Sequence, residues 1–166
     1  MNRLFPLLLL VGILTIANPL GTGATPRDPG LPNPILTPGS ISALVTQENI
    51  HSTICVSGYT KTIRPSSSYT NRIKTSQLKS GYNYKGDTNL SNYEEDHLVP
   101  LEIGGNPTSP NNLFPQPWLT TWNAGKKDRL ENRMHQLVCN GTIALVVAQK
   151  VFMNNWIIGY QKYVGR

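Results

Sequence analysis

Gly104-Gly105-Asn106-Pro107 limits the folding of this chain more than any other stretch. Four turn-forming residues in a row interrupt any helix or strand that reaches them. Before them stands "EEDHLVPLEI", which reads as a strand carrying apolar residues into a core. After them "NNLFPQ" reads as a second short strand, whose proline argues for an edge or an early end. From Asn123 the period changes. Leu130, Met134, Leu137 and Val138 fall at i, i+4, i+7 and i+8, one apolar stripe of a helix. Asn140-Gly141 is a helix stop. The stretch Glu94 to Cys139 therefore reads strand, turn, strand, helix.

The rest of the pattern is mixed. "TICVSGYTKTI" predicts a short strand with a turn at Ser57-Gly58, and Ile73, Leu78 and Tyr82 suit a short helix. Thr142 suits a cap for a helix through "IALVVAQKVF", and "NWIIGYQKYVGR" suits a last short helix. The fold class expected is α+β.

Arg3, the apolar run Leu4 to Ala17 and the small residues Gly21 to Ala24 have the layout of a secretory signal peptide. The run is shorter than the roughly 20 residues of a membrane-spanning helix, although a retained anchor is the alternative. In "TPRDPGLPNPILTPG", from Thr25 to Gly39, five prolines and two glycines exclude a helix or a central strand. The division expected is a signal peptide over 1–24, a Pro-rich linker over 25–50 and one folded domain over 51–166. A chain released from its signal has no stable membrane association and is secreted or periplasmic.

Beyond Ala24 the chain has 14 Lys and Arg against 9 Asp and Glu. A basic secreted protein is drawn to polyanions, with nucleic acid, anionic lipid and acidic polymers all open. The two cysteines, Cys55 and Cys139, predict one disulfide in an oxidising compartment, with two buried thiols as the alternative.

The chemistry concentrates at "EEDH". Glu94, Glu95 and Asp96 run into His97 in a chain where only 14% of residues are charged. Neutral imidazole suits a general base near neutral pH, and an adjacent carboxylate suits a cation. Asn112, fifteen residues after His97, would be brought back beside it by the turn, where its carbonyl could accept the imidazole Nδ1–H. Asn123 is either a plain N-cap or an oxygen ligand for a hard cation. Glu131 lies about 12 Å along the helix from Asn123, so it suits a metal-bound water better than a shared inner shell. Lys126, Lys127, Arg129 and Arg133 offer charge for phosphate near that helix. Lys127 and Glu131 also form an i,i+4 pair, and His135 reads as a member of an ordinary solvated face. His51 reads as structural or exposed, and Trp118, Trp122 and Trp156 as core or as platforms beneath loops, ahead of a role in stacking nucleobases. Paired carboxylates of a glycosidase are disfavoured, since adjacent strand residues rarely face each other across a sugar. A zinc peptidase lacks its His-Glu-x-x-His helix.

"DHLVPLEIGG" followed by "NPTSPNNLFPQPW" resembles the core of the His-Asn-His endonucleases, the ββα-metal superfamily, over roughly Tyr93 to His135. The wider stretch from "ICVSGYTKTIRP" to "KDRLENRMHQLVC" is similar to small secreted bacterial proteins with that core. The resemblance implies a two-stranded hairpin plus helix with additional short helices. It implies Asp96 as metal ligand, His97 as the base that activates water and Asn112 as the residue that orients the base. No histidine occurs between His97 and His135, so Asn123 would stand in for the helix histidine, with Glu131 behind it. One divalent cation is implied: Mg²⁺ or Mn²⁺ from the oxygen ligands, Zn²⁺ if a histidine joins. The activity implied is cleavage of DNA or RNA with little sequence preference, by a monomer; an inhibitor protein would leave no trace in the sequence. A non-catalytic basic binding protein on the same fold is the alternative.

Overall fold

The structure is a computed structural model that describes residues 30–165. The predicted signal peptide therefore lies outside the described residues. Helix α1 is Tyr59–Ile63 and α2 is Ser67–Gln77. Strands β1 (Tyr93–His97) and β2 (Leu113–Pro117) pair antiparallel in a two-stranded sheet, with Asp96 opposite Phe114 and His97 opposite Leu113. Helix α3 is Ala124–Cys139 and α4 is Leu145–Tyr163. The architecture is mixed α+β.

The turn between the strands has a local cause. Gly104 takes φ +79°, a left-handed conformation that glycine adopts freely. A Cβ on Gly105 would run into the carbonyl oxygen of Val99. The apolar stripe of α3 packs against α4. Leu130, Met134, Val138, Phe152 and Trp156 join Phe114, Leu98 and Ile103 in one buried cluster. Side chains of this size contribute about 1.5–3 kcal/mol each when fully buried. Trp156 is wholly buried, and its Nε1–H donates to the Gly30 carbonyl at 2.8 Å. Asn155 breaks the α4 ladder at φ −171° and caps the turn beyond, its Oδ1 accepting from Ile157 and Ile158 N–H. The last short helix expected from the sequence is therefore the second half of α4.

Three expectations need correction. "TICVSGYTKTI" makes no strand: Gly58 turns the chain at φ +82° and α1 follows, with α1 set against the turn Leu101–Ile103. β1 stops at His97, and Leu98 to Ile103 continue as turns with Leu98, Val99, Leu101 and Ile103 buried. The Pro-rich stretch is no linker where it is described, from Gly30 onward. Thr37 is wholly buried and donates to the Leu113 carbonyl, Ile41 bridges Gly105, and Val45 and Ile50 enter the core. Proline bars helix and central strand but not packing as an extended strap, which is how residues 30–45 close over the sheet edge and α4.

Cys55 and Cys139 form the expected disulfide, 84 residues apart in sequence, pinning the segment before α1 to the end of α3. No helix among the described residues is long and apolar enough to cross a membrane.

Candidate functional site

Asp96 and His97 end β1, where the strand gives way to the turn. Both are buried, at 8% and 4% exposure. The backbone turns sharply enough there for Asp96 Oδ1 to accept the N–H of His97 at 2.7 Å. The His97 ring is held from its far nitrogen. Pro107 O, a carbonyl and so only an acceptor, lies 2.9 Å from Nε2, which therefore carries the hydrogen. Nδ1 has no hydrogen-bond partner among the described residues. Burial pushes the imidazole below its ordinary value, more strongly than the Pro107 carbonyl and Asp96 raise it. The ring is thus neutral near pH 7, with its free lone pair on Nδ1.

Asn112 does lie beside this corner, but it does not touch the imidazole. Its Oδ1 accepts from Val99 N–H at 2.8 Å and Ser40 N–H at 3.3 Å, and its Nδ2 donates to the carbonyls of Val99 and Asn106 at 3.0 Å each. It staples the turn that carries Pro107, and Pro107 fixes the ring. The asparagine therefore reaches the imidazole only through the backbone, where a direct Nδ1–H bond was expected.

Lys127 departs most from expectation. Expected at the surface for phosphate, it is wholly buried. Its ammonium donates to Asp96 Oδ2 at 2.8 Å, to the His97 carbonyl at 2.6 Å and to Glu131 Oε1. Burial pushes the ammonium down, but Asp96 and then Glu131 outweigh it and hold it above the ordinary lysine value. Burial pushes the Glu131 carboxyl up, against the pull of Lys127. The other candidates are placed as follows. Asn123 is the N-cap of α3, its Oδ1 accepting from Lys126 N–H at 3.0 Å. Lys126 lies half-buried with its ammonium 4.5 Å from the Trp122 ring centroid, and Arg129 and Arg133 are exposed. His135 donates from Nε2 to the Ile54 carbonyl at 2.9 Å and holds Nδ1 3.7 Å from Glu102 Oε2. His51 and Trp118 are exposed, while Trp122 packs edge-on against Trp156 and Tyr160.

The rim of the site is acidic. Burial first, then repulsion from Asp96, lifts Glu94 to about 7 and raises Asp128 as well. Burial also raises Glu102, although His135 draws it down. Arg64, exposed just after α1, acts electrostatically on Glu94, His97, Glu102 and Asp128. Its place was not legible in the sequence, because "TIRP" lies thirty residues upstream and only the packing of α1 on the 101–103 turn brings it over.

The expected cation does not fit this arrangement. Asp96 Oδ1 is taken by His97 N–H and Oδ2 by Lys127; Asn123 Oδ1 caps the helix; Glu131 pairs with Lys127. A positive charge already sits among the oxygens that would hold the ion. A second grouping, Cys55, Cys139 and His135, brings three possible ligand atoms within 4.8 Å of one another, but both sulfurs are spent in the disulfide.

No protein family, curated protein or solved structure matches this chain.

Proposed function

We propose that the protein is a secreted endonuclease, cleaving phosphodiester bonds of DNA or RNA from a ββα core formed by β1, β2 and α3, with His97 as general base. The observation that carries the reading is the state of His97: buried, neutral and locked as the Nε2–H tautomer by Pro107. A fixed imidazole lone pair beside a carboxylate is what a general base requires. Nδ1 would take the proton of a water as its oxygen attacks phosphorus. The bond from phosphorus to the sugar oxygen would break with its electron pair on that oxygen, which would leave as a hydroxyl on taking a proton from solvent. Exposed Arg64 and Arg129, with half-buried Lys126, are the cations available to draw in the phosphate backbone. The disulfide and the basic balance suit work outside the cell on a polyanion.

The test incubates plasmid DNA and RNA with the mature protein and with His97→Ala, in EDTA and in Mg²⁺, Mn²⁺ or Zn²⁺. Cleavage by the wild type, reduced at least about a hundredfold in His97→Ala, is the expected result. Intact nucleic acid in every lane, or equal cleavage by both proteins, overturns it.

One observation favours a second reading, a non-catalytic nucleic-acid-binding protein on the same framework. Lys127, the cation nearest Asp96 and His97, is wholly buried and spent on oxygens of the protein, so it is not free to meet a phosphate. That reading predicts equal binding of nucleic acid by wild type and His97→Ala, with no cleavage by either.

A further inference from the structure

We propose that Lys127 is the site's own cation: its ammonium sits between Asp96 and Glu131, two of the three residues expected to hold a divalent ion, and the wild-type protein binds no such ion there. An ammonium has three hydrogens to donate. All three are placed, on Asp96 Oδ2, the His97 carbonyl and Glu131 Oε1. The Phe152 ring centroid lies 5.4 Å from Nζ, and the side chain has no exposed surface. A divalent ion could enter only if this ammonium left, and nothing about its surroundings favours that. Two carboxylates oppose loss of its proton, and its stem is buried with α3 on the core.

The cage is also the reason the inference can be tested. Two carboxylate oxygens and one carbonyl oxygen around a single point form the hard donor set that Mg²⁺, Mn²⁺ and Ca²⁺ accept. The ion's place is kept by a tethered charge, and removing that charge while keeping the stem's bulk should open it. Lys127→Met does this. Where the nuclease reading holds, a further consequence follows from it: cleavage by the wild type persists in EDTA.

The experiment follows Mn²⁺ binding by electron paramagnetic resonance in wild type, Asp96→Asn, Lys127→Met and Lys127→Met/Asp96→Asn. Folding is checked by circular dichroism with and without the ion. Wild type should show no stoichiometric Mn²⁺ binding at millimolar ion. Lys127→Met should bind one Mn²⁺ at least about tenfold more tightly than wild type, melt higher with it, and lose both effects when Asp96 is also replaced. Stoichiometric binding by wild type that Asp96→Asn abolishes overturns the proposal. So does a folded Lys127→Met that binds no ion. If Lys127→Met does not fold, Lys127→Gln takes its place, and if neither folds the wild-type titration decides alone. This readout is independent of cleavage: a protein inert toward nucleic acid but behaving as described would refute the nuclease reading and leave the cation assignment standing.

Discussion

At the scale of single residues, the cluster "EEDH" divides into four side chains with four environments. Asp96 pairs with Lys127 and His97 is held by Pro107, while Glu94 sits half-buried on the acidic rim. Glu95 is different. Neither of its carboxylate oxygens has a hydrogen-bond partner among the described residues, and both are buried. Burial lifts this carboxyl to about 8, against the pull of Lys74. The folded chain thus holds a proton that an unfolded glutamate loses near about 4.3. Between those values the folded state binds more protons than the unfolded state, so stability falls as pH rises through the window. Glu94, lifted to about 7, adds to the fall, whereas His97, lowered by burial, acts in the opposite sense as pH drops below about 6.5. The contribution of Glu95 is isolated by comparing urea unfolding of wild type and Glu95→Gln at several pH values. Wild type should lose on the order of 2 kcal/mol relative to the variant between about pH 5 and pH 8. Parallel pH profiles for the two proteins would contradict this account of Glu95.

At the scale of elements, the start of α3 decides how Asn123 is understood. Its carbonyl oxygen satisfies a backbone donor that the first turn of a helix leaves open. A side chain so used is a cap, and α3 is the element that presents Lys127 and Glu131 to β1. Asn123→Ala should cost about 1 kcal/mol, and Asn123→Asp, which keeps the acceptor, should recover most of it. Chemical denaturation of the two variants checks this. Full stability in Asn123→Ala, together with complete loss of any cleavage, would return the residue to the ligand role. The turn between β1 and β2 acts in the same structural way. Asn112 closes it with three hydrogen bonds and ties it to the strap at Ser40 with a fourth, so the His97 ring is positioned by a backbone corner and not by one side-chain contact.

At the scale of the whole molecule, the chain is closed on itself twice. The Pro-rich strap crosses α4 and the edge of the sheet at one end, and the disulfide joins the segment before α1 to the end of α3. The covalent closure spans 84 residues and is worth about 4–5 kcal/mol on the chain-entropy model. The double replacement Cys55→Ser/Cys139→Ser should lower the unfolding free energy by roughly that amount, read from urea unfolding against wild type. A loss under about 1 kcal/mol would mean that the denatured chain is already held compact without the bond.

The sequence alone determined what local chemistry controls. Glycine and proline punctuation placed the turn and the short run after it β2, period placed α3, Asn140-Gly141 placed the end of α3, and the single pair of cysteines named the disulfide. Of the three residues that suggested a helix near α2, only Ile73 lies in it, Leu78 and Tyr82 falling beyond its end. It also singled out Asp96, His97 and Asn112, which the fold does gather at one corner. What those residues touch is set by packing between parts of the chain far apart in sequence. Lys127 reads as a surface charge because nothing in its neighbours says that α3 will lie with this residue against β1, where a buried carboxylate needs a partner. Asn112 and Asn123 read as ligand or orienting groups because a carbonyl oxygen in a sequence carries no sign of which N–H it will meet. The strap read as a linker because proline content reports which hydrogen bonds a segment cannot make and is silent on the surfaces it can cover. Hydrogen-bond partners and burial depend on contacts between residues far apart in the chain, and those exist only once the fold has formed.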